Sequence, residues 1–123
     1  MVIVDTSVWI AHLRQHNTDL ESLLQEAEVM THEFVLGELA CGNIKNRKEF
    51  LSLLEVLPSA SVVNQNEFLH FVESNSLMGS GVGFVDVHLL ASAQLMKFPL
   101  WTRDEKLHQA AIKLKLSYRN NVK

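Results

Sequence analysis

Four acidic side chains stand where a fold could gather them. Asp5 closes the short apolar run Val2-Ile3-Val4, and Asp104 follows Pro99-Leu100-Trp101-Thr102 in much the same way. Asp86 opens a stretch, Val87 to Met96, with almost no polar face, directly after the small loop Gly79-Ser80-Gly81-Val82-Gly83. Glu38 sits among Gly37, Leu39, Ala40, Cys41 and Gly42, surroundings that predict a carboxylate turned away from open water. Carboxylates crowded together repel, so such a group persists only around a cation. Hard oxygen donors without a Cys/His set favour Mg²⁺ or Mn²⁺ over Zn²⁺. An ion of that kind keeps several waters, bridges to phosphate and drives water onto phosphorus. The chemistry indicated is phosphodiester hydrolysis. Each acid also has a plainer reading: Asp86 and Asp104 as helix caps, Asp5 as the holder of a turn. Glu38, mid-helix, caps nothing.

The elements that must position these acids follow from the periodicity. Strands are expected at 2–5, 29–31, 61–63, 99–102 and 116–118. Helices are expected at 7–15, 19–27, 33–41, 46–56, 66–76, 85–96 and 104–114, with a loop at 77–83. Thr6 and Ser7 are candidate caps for the first helix, and Asn66 for the fifth. Phe50, Leu53, Leu54 and Leu57 form one apolar stripe, and Phe68, Leu69, Val72 and Leu77 another. Short strands alternating with helices imply a parallel sheet of about four to five strands with helices on both faces. In such a sheet ligands bind beyond the carboxyl ends of the strands, where Asp5 and Asp104 fall.

At 123 residues the chain suits a single domain spanning 1–123, with 47% apolar and 20% charged residues. No run is long enough to cross a bilayer and no signal-peptide pattern opens the chain, so a cytoplasmic location is expected. The only cysteine, Cys41, suits a reducing compartment. Net charge is −3, yet its distribution is uneven. Residues 97–123 hold 7 of the 11 basic side chains: Lys97, Arg103, Lys106, Lys113, Lys115, Arg119 and Lys123. Lys45, Arg47 and Lys48 add a second cluster. A polyanion lying across one face fits this asymmetry, as does an ordinary solvated surface. Arg103 and Lys106, beside Asp104, are the nearest candidates for substrate contact.

Other groups are set aside. His12 and His16 have metal-ligand spacing on a helix, but Arg14 and Gln15 between them suggest a wet surface. His88 points elsewhere on its helix from Asp86. His32-Glu33 begins a helix, where Glu33 suits the dipole, and Glu105 reads as a first-turn helix acid. Cys41, with no base nearby, reads as a small buried packing residue. Gly79 to Gly83 has no Gly-Lys-Ser/Thr after it and is not a phosphate loop.

Asp5-Thr6-Ser7-Val8-Trp9, Glu38-Leu39-Ala40-Cys41-Gly42, Gly83-Phe84-Val85-Asp86-Val87-His88-Leu89-Leu90-Ala91 and Trp101-Thr102-Arg103-Asp104 together resemble the PIN-domain ribonucleases. The likeness is nearest to the VapC-type toxins of toxin–antitoxin pairs and covers essentially the full chain. It implies a PIN-like parallel α/β fold, Mg²⁺ or Mn²⁺ at the acids, endonucleolytic RNA cleavage, a homodimer, and a cognate antitoxin covering the active site. By motif position Asp5 and Asp86 would be the principal metal ligands. Glu38 and Asp104 would complete the catalytic set, ligating directly or through water, or orienting the nucleophile. Thr6 and Thr102 would support them, Thr102 by tying down the loop that carries Asp104. Phe84 stands where relatives often have Trp, which leaves the chemistry untouched. The alternative is a non-enzymatic metal-binding module, receiver-like or an inactive PIN domain. A receiver needs paired acids after its first strand, whereas Thr6-Ser7 follow Asp5.

Overall fold

Val2–Val4 (β1) forms the middle of a three-stranded sheet, flanked by Val29–Met30 (β2) and Leu100–Trp101 (β3) in the order β2-β1-β3. Both pairings are parallel, with Ile3 opposite Met30 on one side and Leu100 on the other. Successive strand residues face opposite sides, so three buried residues in a row mean that both faces are covered. That is why β1 reads as a continuous apolar run. The computed structural model describes residues 1–118; Arg119 and Lys123 of the basic C-terminal quarter lie outside that range.

Among the described residues, seven helices connect and cover the strands: Thr6–Arg14 (α1), Thr18–Gln25 (α2), Glu33–Ala40 (α3), Arg47–Glu55 (α4), Gln65–Ser74 (α5), Phe84–Met96 (α6) and Glu105–Lys113 (α7). Val87 through Ala93 are all buried, so α6 runs through the protein interior. Leu89 and Leu90, with no exposed surface, each contribute about 1.5–3 kcal/mol of burial. The fold is α/β with a parallel sheet and helices on both faces, as its periodicity implies.

The sheet is smaller than expected. Residues 61–63 are not a strand, since the Ser61 carbonyl accepts a hydrogen bond from Ser92 Oγ at 2.7 Å rather than from a neighbouring backbone. The only pairing in that region is a one-residue bridge between Thr31 and Ser59. Residues 116–118 likewise reduce to a bridge between Leu100 and Ser117.

Caps and stripes differ in detail. Asp5, not Thr6 or Ser7, is the N-cap of α1. Asn64, not Asn66, caps α5, in a capping box with Glu67. Leu53 and Leu69 lie outside their stripes at 63% and 53% exposure, because the buried positions are Leu54 in α4 and Phe68 and Phe71 in α5. Cys41 is exposed rather than packed.

Candidate active site

The site is built outward from Asp5, which leaves the end of β1 and enters α1. Its carboxylate is 4% exposed. Its Oδ2 accepts hydrogen bonds from Ser7 Oγ at 2.7 Å, Thr102 Oγ1 at 2.7 Å and, more weakly, the Ser7 backbone N–H at 3.4 Å. One oxygen is therefore fixed by α1 and by the segment after β3 together. Asp5 N–H also donates to the Trp101 carbonyl at 2.9 Å, which locks the two strand ends side by side.

The same contacts carry Asp104. Thr102 Oγ1 accepts from the Asp104 backbone N–H at 3.0 Å while donating to Asp5. Ser7 Oγ accepts from the Arg103 N–H at 2.9 Å. Asp104 Oδ1 caps α7 by accepting from Leu107 N–H at 2.9 Å. The plainer reading of Asp104 is thus true of one oxygen.

Glu38 projects from α3 and is exposed, contrary to expectation. Its small neighbours leave space around it rather than burying it, for Gly37 has nothing within 4 Å of the position a Cβ would take. Thr6 Oγ1 donates to Glu38 Oε1 at 2.6 Å, which ties α3 to the first turn of α1. Thr6 therefore supports an acid from another element rather than capping its own helix.

Asp86 lies in the first turn of α6, beyond Gly83. It has no hydrogen-bond donor among the described residues. Its carboxyl is pushed up to about 6, first by burial and then by the charges of Asp5, Asp104 and Glu38. Four acids from four separate segments thus meet in one electrostatic neighbourhood.

Among the described residues, no three Asp, Glu, His or Cys side chains are grouped so that together they could hold a metal ion. Mg²⁺ uses one or two carboxylates, keeps several waters and turns to substrate phosphate for the rest. An all-oxygen set with one carboxyl raised by burial and then by its acidic neighbours fits that open kind of site.

The basic candidates separate. Arg103 lines a polar cleft with α1 and the start of α2. Lys106 instead lies along the loop before Asp86, its Nζ 3.1 Å from where a Cβ on Gly81 would sit. Gly81 favours glycine for its left-handed backbone at φ +85, whereas the flexible Lys106 end could yield to a Cβ there. His12 and His16 act structurally: His12 Nδ1 accepts from Asn17 N–H at 3.0 Å, and His16 Nε2 pairs with Glu21 at 2.7 Å.

Two clusters were not anticipated from the sequence. His32 Nδ1 accepts from Phe34 N–H at 3.0 Å, so it caps α3, and its Nε2 bonds Ser92 Oγ at 2.9 Å. Burial, then His88, pushes its ring down to about 4. Phe34, Phe68, Phe84 and His88 pack together, with Phe68 and His88 stacked at 4.3 Å and Phe84 left 57% exposed. The available signal was spacing, since Phe34 is one helical turn from Glu38 and Phe84 one turn from His88.

Residues 2–113 match the PIN domain family. The chain is 45% identical over 111 residues to Ribonuclease VapC32 of two Mycobacterium tuberculosis strains, CDC 1551 / Oshkosh and ATCC 25618 / H37Rv. Those alignments span 89% of this chain and 90% of each relative. The fold is similar to that of PAE2754 from Pyrobaculum aerophilum, with TM-score 0.61, 15% identity, and coverage of 89% of this chain and 78% of that one. With the acids standing at the carboxyl edge of a parallel sheet, this chain belongs to the PIN-domain family, in its VapC-type branch.

Proposed function

We propose that the protein is an endoribonuclease that uses Mg²⁺ or Mn²⁺ to hydrolyse RNA phosphodiester bonds, acting as the toxin of a toxin–antitoxin pair. The observation that carries this reading is the meeting of four carboxylates from four segments, where Asp86 feels Asp5, Asp104 and Glu38. The similarity to Ribonuclease VapC32 supports RNA as the substrate.

Asp5 and Asp86 are the principal ligands in this reading, with Glu38 and Asp104 completing the site. Bound there, a hard divalent cation supplies charge neutralisation and an activated water. The chain's own residues do the positioning. Ser7 and Thr102 hold one Asp5 oxygen, leaving the other without a donor among the described residues. Thr6 aims Glu38, and the α7 cap leaves one Asp104 oxygen uncommitted. Asp86, raised by burial and then by its acidic neighbours, gains when a cation offsets their charge.

The reading includes a protein partner that covers the site, and a homodimer. An apolar groove of about 350 Å³ lined by Trp9, Leu13, Leu24, Phe50, Leu53 and Val56, with none of the four acids in its lining, supports a protein contact at that face, where Leu53 and Val56 are largely exposed. No helix is long and apolar enough to cross a membrane among the described residues.

The test is cleavage of single-stranded RNA by purified protein with and without Mg²⁺, beside the Asp5→Asn and Asp86→Asn variants. Cleavage that needs the ion and both aspartates is expected. Undiminished cleavage in either variant, or in excess chelator, overturns the mechanism.

A further inference from the structure

Beside the acids, the segment after β3 and one face of α1 enclose a polar cleft of about 420 Å³ that the mechanism leaves unused. Its lining includes Arg14, Gln15, Asn17, Thr18 and Arg103. Neither arginine makes a side-chain hydrogen bond or an ion pair among the described residues. Arg47 shows the contrast, since its guanidinium is spent on the Ala40 carbonyl at 2.8 and 3.1 Å. Asp19 also lines the cleft but is engaged in an interaction of its own. His16 is paired with Glu21. The start of α2, with its partial positive charge, opens on the same space.

The cleft is joined to the acids by a short relay. Arg103 N–H donates to Ser7 Oγ at 2.9 Å, and Ser7 Oγ donates to Asp5 at 2.7 Å. Ser7, Ala11 and Arg14 fall at i, i+4 and i+7, on one face of α1. That face leads from the Asp5 carboxylate to the Arg14 guanidinium over roughly 10 Å of helix axis. A strand whose scissile phosphate sat at the acids would run its next phosphates along that face.

We propose that the cleft between Arg14 and Arg103 is a subsite for an RNA backbone phosphate flanking the scissile bond, a reading that rests on the ribonuclease function above. Guanidinium groups bind phosphate through paired, charge-assisted hydrogen bonds, and neither of these is committed to an acid among the described residues. The interaction fixes the strand's register and carries no base preference. It also resolves the conflict of charge at the site, because the cations that hold the polyanion stand apart from the carboxylates that hold the metal.

The experiment reads binding without cleavage, in the full chain carrying Asp86→Asn, with a fluorescent single-stranded RNA. Arg14→Gln with Arg103→Gln should weaken affinity about tenfold or more. The slope of log affinity against log salt should become shallower by roughly 0.7 for each phosphate that no longer meets an arginine. Replacing single phosphates by neutral methylphosphonate links should cost the parent affinity at one or two positions and cost the double variant nothing further there. A melting temperature equal to the parent's shows that the variant is folded. Unchanged affinity, slope and linkage profile in the double variant overturn the subsite alone. A parent that does not bind RNA overturns the ribonuclease reading and the subsite with it.

Discussion

Two polar groups sit along α6, and they are finished differently. In its buried middle, Phe34 N–H donates to His32 Nδ1, His32 Nε2 donates to Ser92 Oγ, and Ser92 Oγ donates to the Ser61 carbonyl. Every partner is internal, and the chain stitches α3, α6 and the 58–64 segment together. At the N-terminal end of the same helix, Asp86 has like charges for neighbours and no donor among the described residues. A closed polar chain is a structural element, because it leaves no valence for a ligand. An acid left open, half-buried and raised to about 6 is the kind of group that marks a candidate functional site.

The largest effect that sharpens this contrast belongs to the open end. Asp5→Asn or Asp86→Asn should lower RNA cleavage by roughly 10²–10³-fold or more, the range for removing a preorganised group at the reacting atoms. Single-turnover assays at saturating Mg²⁺ check it. Thr102→Val comes next, because its hydroxyl serves Asp5 and Asp104 at once. Losing a support of that kind costs about 10- to 100-fold in metal affinity or activity, with the loss partly recovered at high Mg²⁺.

At the closed end, His32→Ala should cost about 2–4 kcal/mol of stability through a cavity and a missing cap, read by urea denaturation. Cleavage per folded molecule should stay near the parent's. If His32→Ala instead abolished cleavage in a stably folded protein, the division between structural and functional polar groups would collapse.

The two ends also oppose each other in pH. Asp86 is raised from 3.8 to about 6, so its contribution to folding is full below 3.8 and is lost as pH rises through 6. His32 is lowered from 6.5 to about 4, so its contribution is full above 6.5 and is lost as pH falls through 4. In chelator, Asp86→Asn should therefore match the parent near pH 4 and become progressively more stable than it by pH 7. Denaturation curves at several pH values check the sign. The smallest change is expected for Thr6→Val, which frees an exposed Glu38 and should reduce cleavage only severalfold.

The sequence carried the helices and the central strand well, for physical reasons. Continuous burial writes itself as a continuous apolar run in β1 and α6, and periodic burial as a stripe in α7. Edge pairing was less legible. Val62 and Val63 look like strand residues because both are β-branched and Val63 packs inward, but no periodicity reveals that Ser92 takes the Ser61 carbonyl. Glu38 was misjudged in exposure because small neighbours suit a buried helix and an open rim equally. Asp5, Asp86 and Asp104 stood out in the sequence because each begins or follows an apolar segment, whereas Glu38, mid-helix, stood out by its small neighbours. The hydroxyls that orient them could be read only in part: Thr102 by motif, but not Ser7 as a link between Asp5 and Arg103.

The central claim is that these carboxylates act together on one divalent ion. Calorimetric titration of Mn²⁺ into the parent, Asp5→Asn and Asp86→Asn at pH 7 tests it directly. The account predicts saturable binding by the parent, weakened strongly in each variant, with release of protons from the parent as the buffer is brought down toward pH 6. Equal Mn²⁺ affinity in all three proteins would contradict it.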